Sequence, residues 1–543
     1  MASPLTPDMI LRNGKIATLD ADDRFVEALA VKGGRIVALG GNDEIDGLKG
    51  SATEVIDLAG RLAIPGIIDS HCHPDSHAIM LTKQHAVSWP EFQSLDAVLD
   101  HIDKITAAGP ADRWFIGYRY DDNKFDAVPT IDQLDAAGNG RPVFIQRTDS
   151  HVGYANSAAC ALVGYDKDTP DPPFGRIDKH PDTGEMTGLM RETAAHRFRG
   201  LVGADNQVED YVAGLPPLFE RFLSHGVTSL HNSLTCSKAV RAYQIMKQSG
   251  RLHLRVGVIA NGFEEGMIEG YIAAGIRSGF GDEWVRLVGV EWCPDCSTSG
   301  RTAAYYDPYV GTAIPGEPVP NTGMLLYDAE DLTRRAMAAH AAGLRIQIEG
   351  IGDRGIDFAL DTIEACLAAH PVADHRIRIE HCCHVTPEIL ARIKRAGVID
   401  ASATGFMHDL GDAYIKNRGA AAMADMWPHR SLIDAGIPAP GHSDAPVCDS
   451  NPWRAIWSLV TRKTDTGNPI GPDQAVTITE ALRAYTTLGA YAGGEEAIKG
   501  SLETGKLADI AVLDRDIFTV PDDDLLATQP DLTIVGGAVQ FRR

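Results

Sequence analysis

The chain has 543 residues and a formal net charge of −24, with 44% apolar and 23% charged residues. That length excludes a single small domain, and the acidic balance speaks against nucleic acid and anionic membranes as partners. The opening has no basic segment followed by an apolar core, and no run of about 18 apolar residues occurs, so no signal peptide or membrane span is expected and the reading is cytoplasmic.

Residues 8 to 60 alternate apolar and polar positions around Asn-Gly and Gly-Gly turns, as in "MILRNGKIATLD" and "ALAVKGGRIVALG", which predicts short strands. The next apolar run, "IPGIIDSHCH", ends in His71 and His73. Side chains two apart on a strand point the same way, so both imidazoles can face one cation. Residues from about 80 to 215 are aromatic and rich in Pro and Asp, and predict an inserted subdomain; it contains His151.

"GVTSLHN", "LRVGVIA", "VRLVGVE", "LRIQIEG", "RIRIEH", "GVIDASA" and "APGHSD" read as further strands, with helical stretches such as "GIDFALDTIEACLAAH" between several of them. With the first, this repeated alternation predicts an α/β fold, a TIM-like (β/α)8 barrel. Active-site groups of such barrels come from the C-terminal strand ends. Here those ends carry metal-ligand types: His71 and His73, then Glu291, Glu349, His381 and Asp444. His384 and His442 read as supporting or surface positions, and His231 as a packed or substrate-facing residue. Cys293 and Cys296 form a C-x-x-C without a second pair at zinc-finger spacing, and the nine cysteines read as reduced thiols.

The far end, "GSLETGKLADIAVLDRD" and "DLTIVGGAVQFRR", returns to strands with glycine turns. Residues 1-62 and 480-543 are therefore expected to form one small β-sandwich domain built from both termini. A barrel over 63-479 fills the middle, with the insertion at about 80-215.

The segments "IPGIIDSHCH", "RTDSHVGYANSAA", "GEMTGLMRETA", "HGVTSLHNS", "LVGVEWCPDCSTSGRTAAYY", "IQIEGIGDRGIDFALDTIEA", "RIRIEHCCHVTPE", "LIDAGIPAPGHSDAPVCDSNP" and "GSLETGKLADIAVLD" run in family order through nearly the whole chain. In them the chain resembles the amidohydrolase superfamily, in the branch of the N-substituted formamide deformylase-like enzymes. The resemblance implies that His71, His73 and His381 are metal ligands, and that Asp444 both binds metal and shuttles the proton. It implies that His151 lies near the substrate. Two positions depart from the family pattern: Glu291 stands where a lysine, often carboxylated, is usual, and Glu349 where histidine is usual. Both changes keep a carboxylate at a ligand position, so Glu291 and Glu349 are included among the expected ligands.

The expected cofactor is one or two divalent ions, zinc first, with manganese or iron as alternatives. Such an ion lowers the pKa of bound water from 15.7 to about 7 and polarises a carbonyl. The expected reaction is hydrolysis of a C–N bond in a small-molecule amide, N-formyl or related substrate, Asp444 taking and returning the proton. His151 is expected to hold the developing oxyanion or the substrate's polar end. Trp292 is a candidate contact for an apolar substituent and Arg301 for an acidic group. A deaminase or a lactone or ester hydrolase on the same site are the alternatives, with a non-catalytic scaffold after them. The expected assembly is a homo-oligomer, a dimer.

Overall fold

Seven parallel strands form the centre of the computed structural model, which describes residues 6–109, 113–314 and 316–543. They are β1 (Ile67–Cys72), β2 (Val227–Thr235), β3 (Arg255–Asn261), β4 (Val285–Trp292), β5 (Ile346–Gly350), β6 (Arg378–His381) and β7 (Ile399–Ser402). Each is hydrogen-bonded to the next in chain order. Their buried runs, continuous rather than alternating, are those of a parallel sheet covered on both faces.

The eighth strand is an irregular run. Pro438 and Pro440 accept from the Asp400 and Ser402 N–H groups at 3.1 and 3.0 Å, but neither has an N–H to return. A regular ladder is therefore impossible there, and one parallel bridge, Ser402 to Gly441, marks the alignment. On the other side Ser70 N–H donates to Gly441 O at 3.3 Å, Asp444 N–H to His71 O at 3.0 Å, and His73 N–H to Ala445 O at 2.7 Å. These bonds bring the chain after residue 440 alongside the end of β1 and nearly close the barrel.

Helices follow the strands and bury one stripe against them. Asp353–Ala369, after β5, buries Ile356, Ala359, Leu360, Ile363 and Cys366, at the spacing of one helical face. Pro387–Ala396, after β6, starts with the Thr386 hydroxyl accepting from Ile389 N–H and ends at Gly397, whose φ of +68° suits a residue without Cβ.

The chain ends share a sheet. Leu62–Pro65 pairs antiparallel with Ile510–Leu513, which pairs with Pro530–Val535. A second sheet contains Met9–Arg12, Ala28–Lys32, Arg35–Gly40 and Glu54–Asp57, and Leu11, Val31, Ile510, Val512 and Ile534 meet in one apolar cluster. Helix Thr487–Gly493 packs on the barrel instead, with Gly489 directly over Ile68.

Residues 85–192 contribute a separate six-stranded sheet with its own core of Phe115, Tyr120, Leu134, Ile145, Tyr154 and Leu189. Its strands Val152–Ala155 and Met186–Glu192 run antiparallel. That pairing sets His151 and Glu192 side by side, the Glu192 N–H donating to His151 O at 2.9 Å. Among the described residues no helix is long and apolar enough to cross a membrane.

Candidate metal centre

His71 and His73 leave the end of β1 on one side, as the two-residue alternation requires. His71 Nδ1 lies 2.7 Å from Glu380 Oε2, and His73 Nδ1 lies 3.2 Å from Ser233 O. Both partners are acceptors, so each Nδ1 carries the proton and each Nε2 presents a lone pair. Those two Nε2 atoms meet Asp444 Oδ1, at 3.4 Å from His71 and 3.0 Å from His73. His71 Nε2 and Asp444 Oδ1 are buried and have no hydrogen-bond partner among the described residues. Three acceptors turned toward one point in a buried site need a cation or borrowed protons between them. These residues therefore fit a divalent cation, with two nitrogens and one oxygen as donors.

The charges agree. Burial alone would lower the His71 imidazole, but Glu291, Asp444 and Glu380 push it well above its ordinary range. Burial alone would raise Asp444, but the imidazoles of His381, His71 and His73 hold it well below the usual carboxylate range.

Glu291 at the end of β4 and Glu349 on β5 point to the same side of the barrel. Glu291 Oε2 accepts the Ser233 hydroxyl, while its Oε1 lies 4.0 Å from His71 Nδ1. Glu349 sits between His151 Nε2 at 3.8 Å and His381 Nε2 at 3.9 Å. Burial, reinforced by Glu291, pushes Glu349 up to about 8 against the pull of His151. His151 Nδ1 is bound to Glu192 Oε2 at 2.8 Å, which leaves Nε2 facing the site. Burial opposes its charge, yet Glu192 and Glu349 push His151 up to about 10, so it is an imidazolium at neutral pH.

Left-handed backbone concentrates here: Ser150, Glu192, His381, Cys382 and Asp444 have φ of 62°, 53°, 69°, 41° and 57°. Such residues cost of order 1–3 kcal/mol each and persist where the surroundings fix them. At His381 the effect is direct. Glu380 and His381 are neighbours that strict alternation sends to opposite faces, and the turn at the strand end lets both approach His71, His381 with its ring centre 4.7 Å away.

A small pocket opens on this cluster, lined by Asp149, His151, Glu349, His381 and Asp444 on its polar side. Ile351, Phe406, Leu410, Tyr414 and Val447 form its apolar side, with Ser297 and Ser299 between. No lysine or arginine is among the described residues that line it. A larger open depression along helix Ser237–Gln248 contains none of the expected site residues.

Two expected substrate contacts are corrected by the structure. Trp292 follows Glu291 and therefore faces the other way, its indole packed against Gly262 in the apolar core. Arg301 binds Glu317 at 2.7 Å and Val310 O at 2.8 Å beneath the Tyr309 ring, so its charge is spent within the loop. His442 is fully buried below the site, its ring centre 4.8 Å from His71 and its Nε2 on Ala401 O. His384 stands apart, 3.6 Å from Asp353. His231 is buried and accepts from Arg378 Nη1 at 3.2 Å.

Sequence reasoning misses Glu380 and Glu192. Their partners lie 309 and 41 residues away, and only the pairing of strands joins them. The one available signal is their place beside motif residues, in "RIEH" and "MRETA".

A family model described as amidohydrolase family matches residues 54–541. The N-substituted formamide deformylase of Arthrobacter pascens is 28% identical, over 99% of this chain and 98% of its own length. Protein LONG AFTER FAR-RED 3 of Arabidopsis thaliana is 27% identical, over 98% of this chain and 91% of its own. Among solved structures, an uncharacterized metal-dependent hydrolase of Pyrococcus horikoshii superposes with a TM-score of 0.74 at 25% identity, covering 95% of this chain and 99% of the other.

Proposed function

Since the chain belongs to the amidohydrolase family and is a metal-dependent hydrolase of C–N bonds, we propose that its substrate is a small, uncharged N-acyl amine, with N-substituted formamides first. The observation that carries this reading is the acceptor-only convergence of His71 Nε2, His73 Nε2 and Asp444 Oδ1 beside a half-apolar cavity.

His71, His73 and Asp444 would hold the ion, with Glu291, Glu349 and His381 next to them. A divalent ion so held supplies an acidified water and a polarised carbonyl at neutral pH. Asp444 would bind through Oδ1, and its other carboxylate oxygen takes the proton of the attacking water and returns it to the departing nitrogen. That return is needed because an amide anion is too basic to leave. His151, with Nδ1 fixed by Glu192, donates from Nε2 to the carbonyl oxygen as negative charge grows on it. Ile351, Phe406, Leu410, Tyr414 and Val447 give the nitrogen substituent an apolar wall. The absence of a lysine or arginine in the lining, with Arg147 nearby tied to Asp149 at 2.6 Å and Ser299 at 2.9 Å, disfavours a carboxylate-bearing substituent.

The test is turnover of metal-loaded protein on a panel of N-formyl and N-acetyl amines, with neutral and carboxylate-bearing members. Release of the amine together with formate or acetate is expected, fastest for neutral apolar substituents. Ammonia as the sole product from amino-substituted heterocycles, with no amide cleaved, would overturn the reading in favour of a deaminase.

A further inference from the structure

The interior of a (β/α)8 barrel is ordinarily filled by valine, isoleucine and leucine. Below the candidate metal centre this barrel instead carries His231, Gln347 and Arg378, all fully buried. They stand two residues before Ser233, Glu349 and Glu380 on their strands, and so on the same faces. Two inner glycines make room for them: a Cβ on Gly257 would stand 2.6 Å from His231 Cδ2, and one on Gly289 2.8 Å from Gln347 Nε2. His231 Nε2, Arg378 Nε and both amide atoms of Gln347 have no hydrogen-bond partner among the described residues. Buried polar atoms left this way are costly unless something polar meets them. Arginine only donates, so the contact of Arg378 Nη1 with His231 Nδ1 at 3.2 Å fixes the proton of the neutral imidazole on Nε2.

That N–H faces the end of helix Thr487–Gly493. A Cβ on Gly493 would stand 2.9 Å from His231 Nε2 and 3.0 Å from Glu495 Oε2. Gly493 is not left-handed, so glycine here serves space rather than conformation. Glu495 is buried, and its Oε2, 2.7 Å from Lys499 Nζ, can accept a second donor. A buried donor and a buried acceptor turned to one space, without a bond between them, are the setting of a structural water. We infer that a water molecule is bound between His231 Nε2 and Glu495 Oε2, and that His231 is a positioning residue for His71. The line between them is continuous: His231 Nδ1 to Arg378 Nη1 at 3.2 Å, Arg378 Nη2 to Glu380 Oε2 at 2.7 Å, and Glu380 Oε2 to His71 Nδ1 at 2.7 Å. The water takes the Nε2 proton of His231, which keeps Nδ1 the acceptor that holds Arg378 against Glu380. The positioning role rests on the reading of His71 as a ligand of the ion; the water site does not.

The experiment is a crystal structure of the full-length protein, paired with zinc affinity by chelator competition. Wild-type density is expected to show a water within hydrogen-bond distance of both His231 Nε2 and Glu495 Oε2. Gly493→Ala should lack that water and bind zinc about threefold more weakly. His231→Leu should lose about 10-fold in zinc affinity, because Arg378 is left without its acceptor. His231→Gln keeps an oxygen for Arg378 and should stay within about twofold of wild type. Added to Glu380→Gln, His231→Leu should weaken zinc binding no further, whereas a residue serving the fold alone would add its own loss. Wild-type density with no water between the two atoms would overturn the water site. Zinc affinity unchanged in both Gly493→Ala and His231→Leu, equal losses in His231→Leu and His231→Gln, or additive losses with Glu380→Gln would each overturn the positioning role. Amide turnover reads the proposed reaction separately: a protein that keeps this water and this coupling but cleaves no amide would remove that reading alone.

Discussion

Glu380 Oε2 is shared by two donors, His71 Nδ1 at 2.7 Å and Arg378 Nη2 at 2.7 Å, in a fully buried chain. Arg378 is itself held by Ser70 O at 2.8 Å. The pair favours a proton on Nδ1 of His71 and so leaves Nε2 for the proposed cation. A carboxylate in this place raises the imidazole's basicity, and losing it typically weakens metal affinity by about 10- to 100-fold. Glu380→Gln should show that loss in chelator competition while keeping its far-ultraviolet circular dichroism. An unchanged metal affinity would mean that Glu380 serves the fold alone.

In the proposed reaction Asp444 and His73 separate proton transfer from metal retention. Asp444→Asn keeps an oxygen toward the ion but has no carboxylate to carry the proton, so kcat should fall by about 10²- to 10⁴-fold in protein that still contains metal. His73→Ala removes a nitrogen donor and should lose the ion held with His71 and Asp444 at micromolar free zinc. Near-native turnover in either variant, measured at known metal content, would contradict the assigned roles.

His151 and Glu192 act as one unit if Glu192 exists to aim the imidazole. Removing an oxyanion donor costs about 10²- to 10³-fold in kcat, which is the loss expected for His151→Ala with KM little changed. Glu192→Gln should give a smaller loss, and the double variant should be no worse than His151→Ala alone. Additive losses in this double-mutant cycle would show that the two residues work independently.

Acid sensitivity has a source far from the site. Burial, with Arg462 adding to it, pulls His429 down to about 3 from an ordinary 6.5, and neither ring nitrogen has a hydrogen-bond partner among the described residues. Between those values the unfolded chain takes up a proton that the folded one refuses. The stability is thus fully present above the unfolded value and is lost as pH falls below it, by about 2 kcal/mol at around pH 5. His429→Leu cannot take that proton, and its Tm should vary less steeply than wild type across this acidic range. Parallel Tm–pH curves would place the acid sensitivity in other groups.

The barrel was legible because strands buried on both faces write continuous apolar runs, and because ligand types recur where those runs stop. His71 and His73 needed only the two-residue alternation. It also explains the misplaced Trp292, which is adjacent to Glu291 and must face away. Arg301 was misread for a different reason: a sequence shows a charge but not the Glu317 carboxylate that neutralises it across a loop. Glu380 was hidden because its proximity to His381 depends on a left-handed turn in a non-glycine residue, which no propensity announces.

The two prolines of the last barrel segment leave its hydrogen bonding to a few amides, and the ones that finish the ring belong to Ser70, His73 and Asp444, the last two being residues proposed to hold the ion. On the proposed ligand set, metal loading would double as a rivet across the weakest join of the cylinder. Stripping the ion should loosen that join before anything else, so that deuterium enters amides 441–445 and the end of β1 early, while the opposite wall, β3 to β5, stays protected.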